Sequence, residues 1–174
     1  MGLDQQVAEA GRQPRACAAA GLEPRPGVSL ELRRSWAADL DTATLYRLLR
    51  LRVDVFVVEQ ECAYPELDGR DLLAGTRHFW LDDGGEIVGT LRLLEEVVDG
   101  VRGYRIGRVC VAADSRKHGC TTRLMVAALG EIGSGTVWLD AQSHLVGMYA
   151  KFGFVVDGAE FDDDGILHVP MRRG

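Results

Sequence analysis

Apolar and polar positions begin to alternate at Ser29 and stay patterned almost to the C-terminus. Over residues 29–36, Leu30 and Leu32 alternate with Glu31 and Arg33, the period-two signature of a strand. Asp39 or Asp41 then supplies a helix N-cap, because a short carboxylate accepts from the free N–H groups of a first turn. Leu45, Leu48, Leu49, Val53 and Phe56 recur at i, i+3, i+4, i+8 and i+11, one face of an amphipathic helix that should stop near Val58. A polar stretch with Pro65 and Asp68-Gly69 follows. Residues 76–81 and 86–94 read as strands joined through Asp82-Asp83-Gly84-Gly85, a hairpin signal. Asp99-Gly100 marks another turn, and 104–111 the next strand. Residues 121–132 form a second helix with Leu124, Met125, Ala128, Leu129 and Ile132 inward, ended by Gly133 and Gly135. A short strand spans 136–141, and a third helix spans 142–152 with Leu145, Met148, Tyr149 and Phe152. Gly153 ends it, and two strands at 154–161 and 166–172 are split by Asp162-Asp163-Asp164-Gly165. The order β α β β β α β α β β places antiparallel hairpins ahead of a βαβ-like unit, which predicts an α/β fold on a mixed sheet.

Composition changes this picture at one end. Residues 1–28 hold four glycines, Pro14, Pro24 and Pro26, the run Ala18-Ala19-Ala20 and no sustained apolar stripe. They are expected to form a flexible N-terminal extension ahead of one domain at 29–174. The chain of 174 residues carries 20 Lys and Arg against 26 Asp and Glu, a net charge of −6. That balance argues against a general binder of nucleic acid or anionic membrane. No apolar run is long enough to span a bilayer and no basic-then-apolar leader is present, so a cytoplasmic location is expected. Cys17, Cys62, Cys110 and Cys120 include no C-x-x-C pair and no metal-ligand spacing, which predicts free thiols in a reducing compartment and no metal. The only lysines are Lys117 and Lys151, which reads as the codon bias of a GC-rich bacterium.

The segment from Val109 to Thr121 carries most of the chemistry. A strand (Val109, Cys110, Val111) runs into a loop with Arg116, Lys117, His118 and Gly119, then directly into the helix at Cys120-Thr121. The first turn of a helix offers unpaired N–H groups and a partial positive charge, which suit a pyrophosphate. Gly119 lets backbone approach the anion, and Arg116 and Lys117 add full charges. Neither the P-loop nor the dinucleotide G-x-G-x-x-G spacing is present. Taken alone, the segment also fits an ordinary loop with two solvated cations.

The flanks make the segment resemble the acyl-CoA signature of the GNAT superfamily of N-acyltransferases: Arg or Gln, two residues, Gly, one residue, then Gly or Ala. Arg116 and Gly119 match; Thr121 departs at the last position, although its hydroxyl can itself bond a phosphate. Met148-Tyr149-Ala150-Lys151-Phe152-Gly153-Phe154 resembles the second signature of that family, a helical Tyr followed by Gly-Phe. Arg52-Val53-Asp54-Val55-Phe56, Ile106-Gly107-Arg108-Val109, Asp140-Ala141-Gln142-Ser143-His144 and Asp164-Gly165-Ile166-Leu167-His168 resemble its ElaA-like branch, over roughly residues 30–172. The resemblance implies a mixed, twisted sheet with helices on both faces, splayed between the 104–111 and 136–141 strands, with acyl-CoA in the gap.

It also implies roles. Val109, Cys110 and Val111 would pair with the pantetheine amides as an added strand, and a backbone N–H there would polarise the thioester. Arg116, Lys117, His118, Gly119, Cys120 and Thr121 would hold the pyrophosphate, and Gln142 would contact the pantetheine arm. Tyr149 is the expected general acid for the leaving thiolate, being protonated at neutral pH, although helical spacing alone also makes it core filler between Leu145 and Phe152. The base is left open among Glu59, Asp140, His144 and ordered water. Arg52, on an apolar helix face, needs a partner, with Glu59, Asp68 and Asp71 as candidates. Residues 102–123 carry six basic groups against Asp114, and residues 59–71 carry five acidic groups against Arg70. The first suits an anionic co-substrate, the second a cationic amine.

The expected activity is direct transfer of an acetyl group from acetyl-CoA to a primary amine of a small molecule or protein, without an acyl-cysteine. The alternative is a non-catalytic acetyl-CoA-binding module. An acyl-homoserine lactone synthase is disfavoured by the short chain. A homodimer is compatible with the sequence.

Overall fold

The computed structural model describes residues 30–174, so the predicted extension at 1–28 lies outside the described residues. The strands are β1 (Glu31–Trp36), β2 (Arg77–Asp83), β3 (Glu86–Val98), β4 (Val101–Val111), β5 (Val137–Gln142), β6 (Val155–Val156), β7 (Phe161–Asp163) and β8 (Ile166–Arg173). The α-helices are α1 (Thr42–Arg52), α2 (Cys120–Ile132) and α3 (Val146–Ala150). They build one sheet in the order β1-β2-β3-β4-β5-β8-β6, with β7 also on β8. Every pair is antiparallel except β4 and β5.

Alternation along β2 and β3 sends side chains to both faces, and both are covered. On one face Phe79, Leu81, Leu91 and Leu93 pack with Leu124, Met125, Ala128 and Ile132 of α2. On the other, Trp80 and Ile87 pack with Leu48 and Leu51 of α1 and with Val55. The predicted α/β class, the mixed sheet and helices on both faces are therefore observed.

β4 and β5 match only at Tyr104 with Val137 and Arg105 with Trp138, then diverge. Gly103 makes that junction possible: a Cβ there would sit 2.5 Å from the Thr136 carbonyl oxygen and 2.5 Å from Trp138 Cζ3. Beside it, the Tyr104 N–H donates to the Thr136 carbonyl at 2.9 Å.

Several boundaries differ from the sequence pattern. Asp41 is the cap of α1, accepting from the Thr44 N–H at 2.9 Å, but the α-helix ends at Arg52 and Val53–Glu59 continues as a π-helical stretch. The buried face is Thr44, Leu48, Leu51, Arg52 and Val55; Leu45, Leu49, Val53 and Phe56 are only partly buried. Periodicity counted Arg52 as polar, and so rotated the face. The third helix is shorter than predicted, because Gln142 pairs with His168 and extends β5, leaving a 3-10 turn at Ser143–Leu145 before α3. The predicted 154–161 strand divides into β6 and β7 opposite Pro170. Pro170 accepts from the Asp157 N–H at 2.8 Å but has no N–H to return, so the ladder breaks there.

Arg52 is 1% exposed and its partners are Asp71 and Glu66. Its Nη1 donates to Asp71 Oδ1 at 2.5 Å, its Nη2 to Asp71 Oδ2 at 3.2 Å, and its Nε to Glu66. Arg92 donates to Asp68 at 2.6 and 2.7 Å and to Asp71 at 3.0 Å. The loop between α1 and β2 is thus held by buried ion pairs rather than by an apolar core. Among the described residues no helix is long and apolar enough to cross a membrane.

Gly103→Ala lowers unfolding free energy by about 1–3 kcal/mol in a denaturant melt, as overpacking does. Gly107→Ala, where a Cβ meets nothing within 4 Å, changes it by less than about 0.5 kcal/mol. Arg52→Met removes one of the two guanidiniums from each of two buried carboxylates and costs about 3–5 kcal/mol. Burial opposes ionisation of Asp71, yet the Arg52 and Arg92 guanidiniums hold its carboxyl below the ordinary range. Its stabilisation is therefore complete above an unfolded-state pKa of about 3.9 and is lost as pH falls through the lower folded value. Acid unfolding followed by circular dichroism should begin at higher pH in Arg52→Met than in the wild type.

Candidate active site

The divergence of β4 from β5 opens a cavity of about 820 Å³. One wall is the end of β4, Gly107 to Val111; another is α3, with Met148 and Tyr149. β4 carries a bulge here: Thr90 pairs with Cys110 but Arg92 with Gly107, leaving Arg108 and Val109 opposite Leu91 alone. Arg108 has φ of +54°. Past Arg105 no strand among the described residues pairs with β4 on its β5 side, so backbone N–H and C=O groups there are available to a ligand.

α2 starts at Cys120, with Gly119 at φ +72° in the N-cap position and open space where its Cβ would be. A second pocket of about 200 Å³ lies against this first turn, lined by Val111, Arg116, Lys117, Gly119, Cys120 and Thr121 among others. Val111, Arg116 and Thr121 line both cavities, which makes them neighbours along one route. Strand, loop and helix N-terminus are thus arranged as the sequence suggested.

Individual residues depart from their expected roles. The Arg116 guanidinium does not reach toward the α2 N-terminus as a free cation. Its Nη1 and Nη2 donate to Glu59 at 2.6 and 2.7 Å, and its Nε donates to the Val111 carbonyl at 3.1 Å. The hydrogen bonds from Arg116 hold the Glu59 carboxyl below its ordinary range, so Glu59 is corrected from candidate base to ion-pair partner. His118 is exposed and lines neither cavity. Asp140 lies within β5, bound to Arg105 Nη1 at 2.7 Å, and lines the cavity. His144 is exposed in the turn after β5 and also lines it. Gln142 Nε2 donates to Gln60 Oε1 at 3.1 Å.

Tyr149 is 7% exposed, lines the cavity and meets Phe154 edge-on with ring centroids 6.2 Å apart. Burial pushes its hydroxyl up to about 12. Burial likewise raises the Cys110 thiol to about 12, which makes it a poor nucleophile. Cys120 is 3% exposed, its thiol raised by burial and donating to the Ser115 carbonyl at 3.3 Å.

Two features were not anticipated from sequence. The segment after the π-helical stretch crosses the open side of the sheet as a strap: Glu59 to Arg116, Gln60 to Gln142, and the Cys62 thiol to the Asp164 carbonyl at 3.3 Å. The acidic 59–71 segment is also not a free negative surface. Arg116 neutralises Glu59; Arg52 and Arg108 neutralise Glu66; Arg92 neutralises Asp68 and shares Asp71 with Arg52. Asp163 and Asp164 line the cavity and make no ion pair among the described residues. The sequence assigned no role to Arg108 or Glu66, because their pairing depends on a bulge and on a loop folded back over it.

The GNAT acetyltransferase domain profile matches residues 52–173. A UPF0039 protein of Mycobacterium tuberculosis is 60% identical over 143 residues, covering 82% of this chain and 92% of its own. Protein ElaA of Escherichia coli is 37% identical over 142 residues, covering 78% and 91%. The crystal structure of an acyl-CoA N-acyltransferase from Pseudomonas aeruginosa superposes with a TM-score of 0.78 at 38% identity, covering 83% of this chain and all of that one. Family profile, relatives and splayed sheet agree: the chain belongs to the ElaA-like branch of the GNAT acetyltransferases, a family and fold of acyl-CoA-dependent acyltransferases.

Proposed function

We propose that the protein transfers an acetyl group from acetyl-CoA directly to a primary amine of a small molecule or protein. The observation that carries this reading is the continuity of the cavity, which joins the unpaired edge of β4, the first turn of α2 and Tyr149. Backbone groups of Val109 and Val111 extend the sheet by pairing with the pantetheine amides. The N–H groups at Gly119, Cys120 and Thr121, with Lys117 beside them, hold the pyrophosphate. Gln142 reaches the pantetheine arm once it parts from Gln60.

In the reaction the amine nitrogen attacks the thioester carbon. A C–N bond forms, the C–S bond breaks, and the thiolate takes its proton from the Tyr149 hydroxyl. The amine proton leaves through Asp140, His144 or water, and solvent returns a proton to the Tyr149 oxygen. Asp163 and Asp164 supply the negative charge that favours a cationic acceptor. With both thiols suppressed by burial, an acyl-cysteine route through Cys110 or Cys120 is disfavoured.

Acetyl-CoA should raise the melting temperature, and a primary-amine panel should reveal acceptor-dependent thiol release. Stabilisation without turnover on any acceptor would favour the binding-module reading. Tyr149→Phe should lower kcat by about 10²–10⁴, the usual span for a general acid, with CoA affinity retained; an unchanged kcat would remove Tyr149 from that role. Because burial raises the hydroxyl to about 12, it remains protonated below that value. The kcat profile should therefore show no alkaline fall from Tyr149 between about pH 7 and 10.

A further inference from the structure

Arg108 sits in a backbone conformation its residue type disfavours. At φ +54° the Cβ of an L-residue crowds its own backbone, and a bulge of this kind ordinarily carries glycine. The position lies inside β4, where the ladder skips from Cys110 to Gly107 opposite Thr90 and Arg92. A strained strand residue persists only where its surroundings over-determine it, and here the restraint runs through the side chain. Arg108 Nε lies 2.8 Å from Glu66 Oε2, at ion-pair distance without hydrogen-bond alignment. Its Nη2 donates to the Glu66 carbonyl at 3.4 Å and lies 3.4 Å from Asp68 Oδ2. The guanidinium also sits over the Tyr64 ring, 5.7 Å from its centroid. Glu66 is itself immobile: 3% exposed, it accepts from Arg52 Nε and from the Tyr64 hydroxyl. Asp68 is fixed by both terminal nitrogens of Arg92. The bulge is thus tied, through one side chain, to buried carboxylates on the loop between α1 and β2.

We infer that Glu66 and Arg108 are positioning residues that lock the β4 bulge in the conformation presenting the Arg108–Val109 backbone to the acyl carbonyl, and that the Arg108 guanidinium does not itself engage the acceptor. The role in turnover rests on the acetyl-CoA reading above; the conformational lock does not. A freed N–H at the bulge polarises the thioester only if held within tenths of an ångström of its place. Glycine adopts φ +54° unaided and asparagine tolerates it, whereas alanine does not. Substitution at one position therefore separates conformation from charge.

The experiment measures thiol release from acetyl-CoA with spermidine and lysine as amine probes, CoA affinity by calorimetry, and residue 108 φ by crystallography. Arg108→Ala and Glu66→Gln should lose at least about tenfold in kcat, with CoA affinity nearly unchanged and residue 108 moved out of the positive-φ region. Arg108→Gly and Arg108→Asn should retain the bulge and lose markedly less kcat than Arg108→Ala, because both residues accept that backbone. Glu66→Gln combined with Arg108→Gly should recover what Glu66→Gln alone loses. Two different replacements at one site guard against the failure of either to fold. The inference is overturned if Arg108→Gly and Arg108→Asn are as impaired as Arg108→Ala, since the guanidinium is then used directly. It is equally overturned if residue 108 keeps its positive φ in both Arg108→Ala and Glu66→Gln. Absence of CoA binding and thiol release in the wild type would instead overturn the acetyl-CoA reading, while the φ comparison still decides the lock.

Discussion

Everything at the site depends on how briefly β4 and β5 touch. Two residues of each strand are in register, Tyr104 with Val137 and Arg105 with Trp138, and then the strands part. A complete parallel pair would bury the β4 edge in a ladder and leave no cavity. A wider separation would split the sheet in two. Gly103 permits this intermediate state by leaving to Thr136 and Trp138 the space that a Cβ would occupy. Arg105 then bridges the start of the gap, binding Asp140 on β5 and Glu96 on β3. Backbone polar groups beyond that point need partners, and an amide-bearing ligand laid along β4 satisfies them in the way a strand would.

The loop over this gap is organised by charge. Arg52, Arg92 and Arg108 meet Glu66, Asp68 and Asp71, three cations and three carboxylates, most of them buried. Such a cluster gives little net stability, because desolvation offsets the attraction, but removing any member is costly. Its effect is geometric: guanidinium forks have directional partners, so the loop and the β4 bulge are fixed relative to each other. The strap formed by Glu59, Gln60 and Cys62 continues the same connection across to the loop before α2, β5 and the β7–β8 turn. The two sides of the gap are consequently one mechanical unit.

Much of this was legible in sequence. The hairpin of β2 and β3, the strand-loop-helix of β4 and α2, and the Tyr149 segment followed from periodicity, glycine placement and resemblance, because each signal is local. Arg52 was recognisable as a charge in need of a partner, since a guanidinium among apolar helix positions has few alternatives. Glu59 and Arg116 were each assigned separate functions, yet they bind one another across a separation of 57 residues. The same applies to Gln142, whose pairing in β5 shortened the helix expected to begin there.

The sequence by itself determined the class of fold and, apart from the division of the 154–161 strand, the order of its elements. These depend on side-chain period, turn residues and helix starts, which short stretches of chain specify. Only the tertiary structure decided which charges are spent on each other, where β4 bulges and how far β4 and β5 remain together. Those outcomes arise from residues far apart in the chain competing for the same partner. A run that is strongly acidic on paper becomes nearly neutral in place, because arginines from α1, β3, β4 and the loop before α2 converge on it.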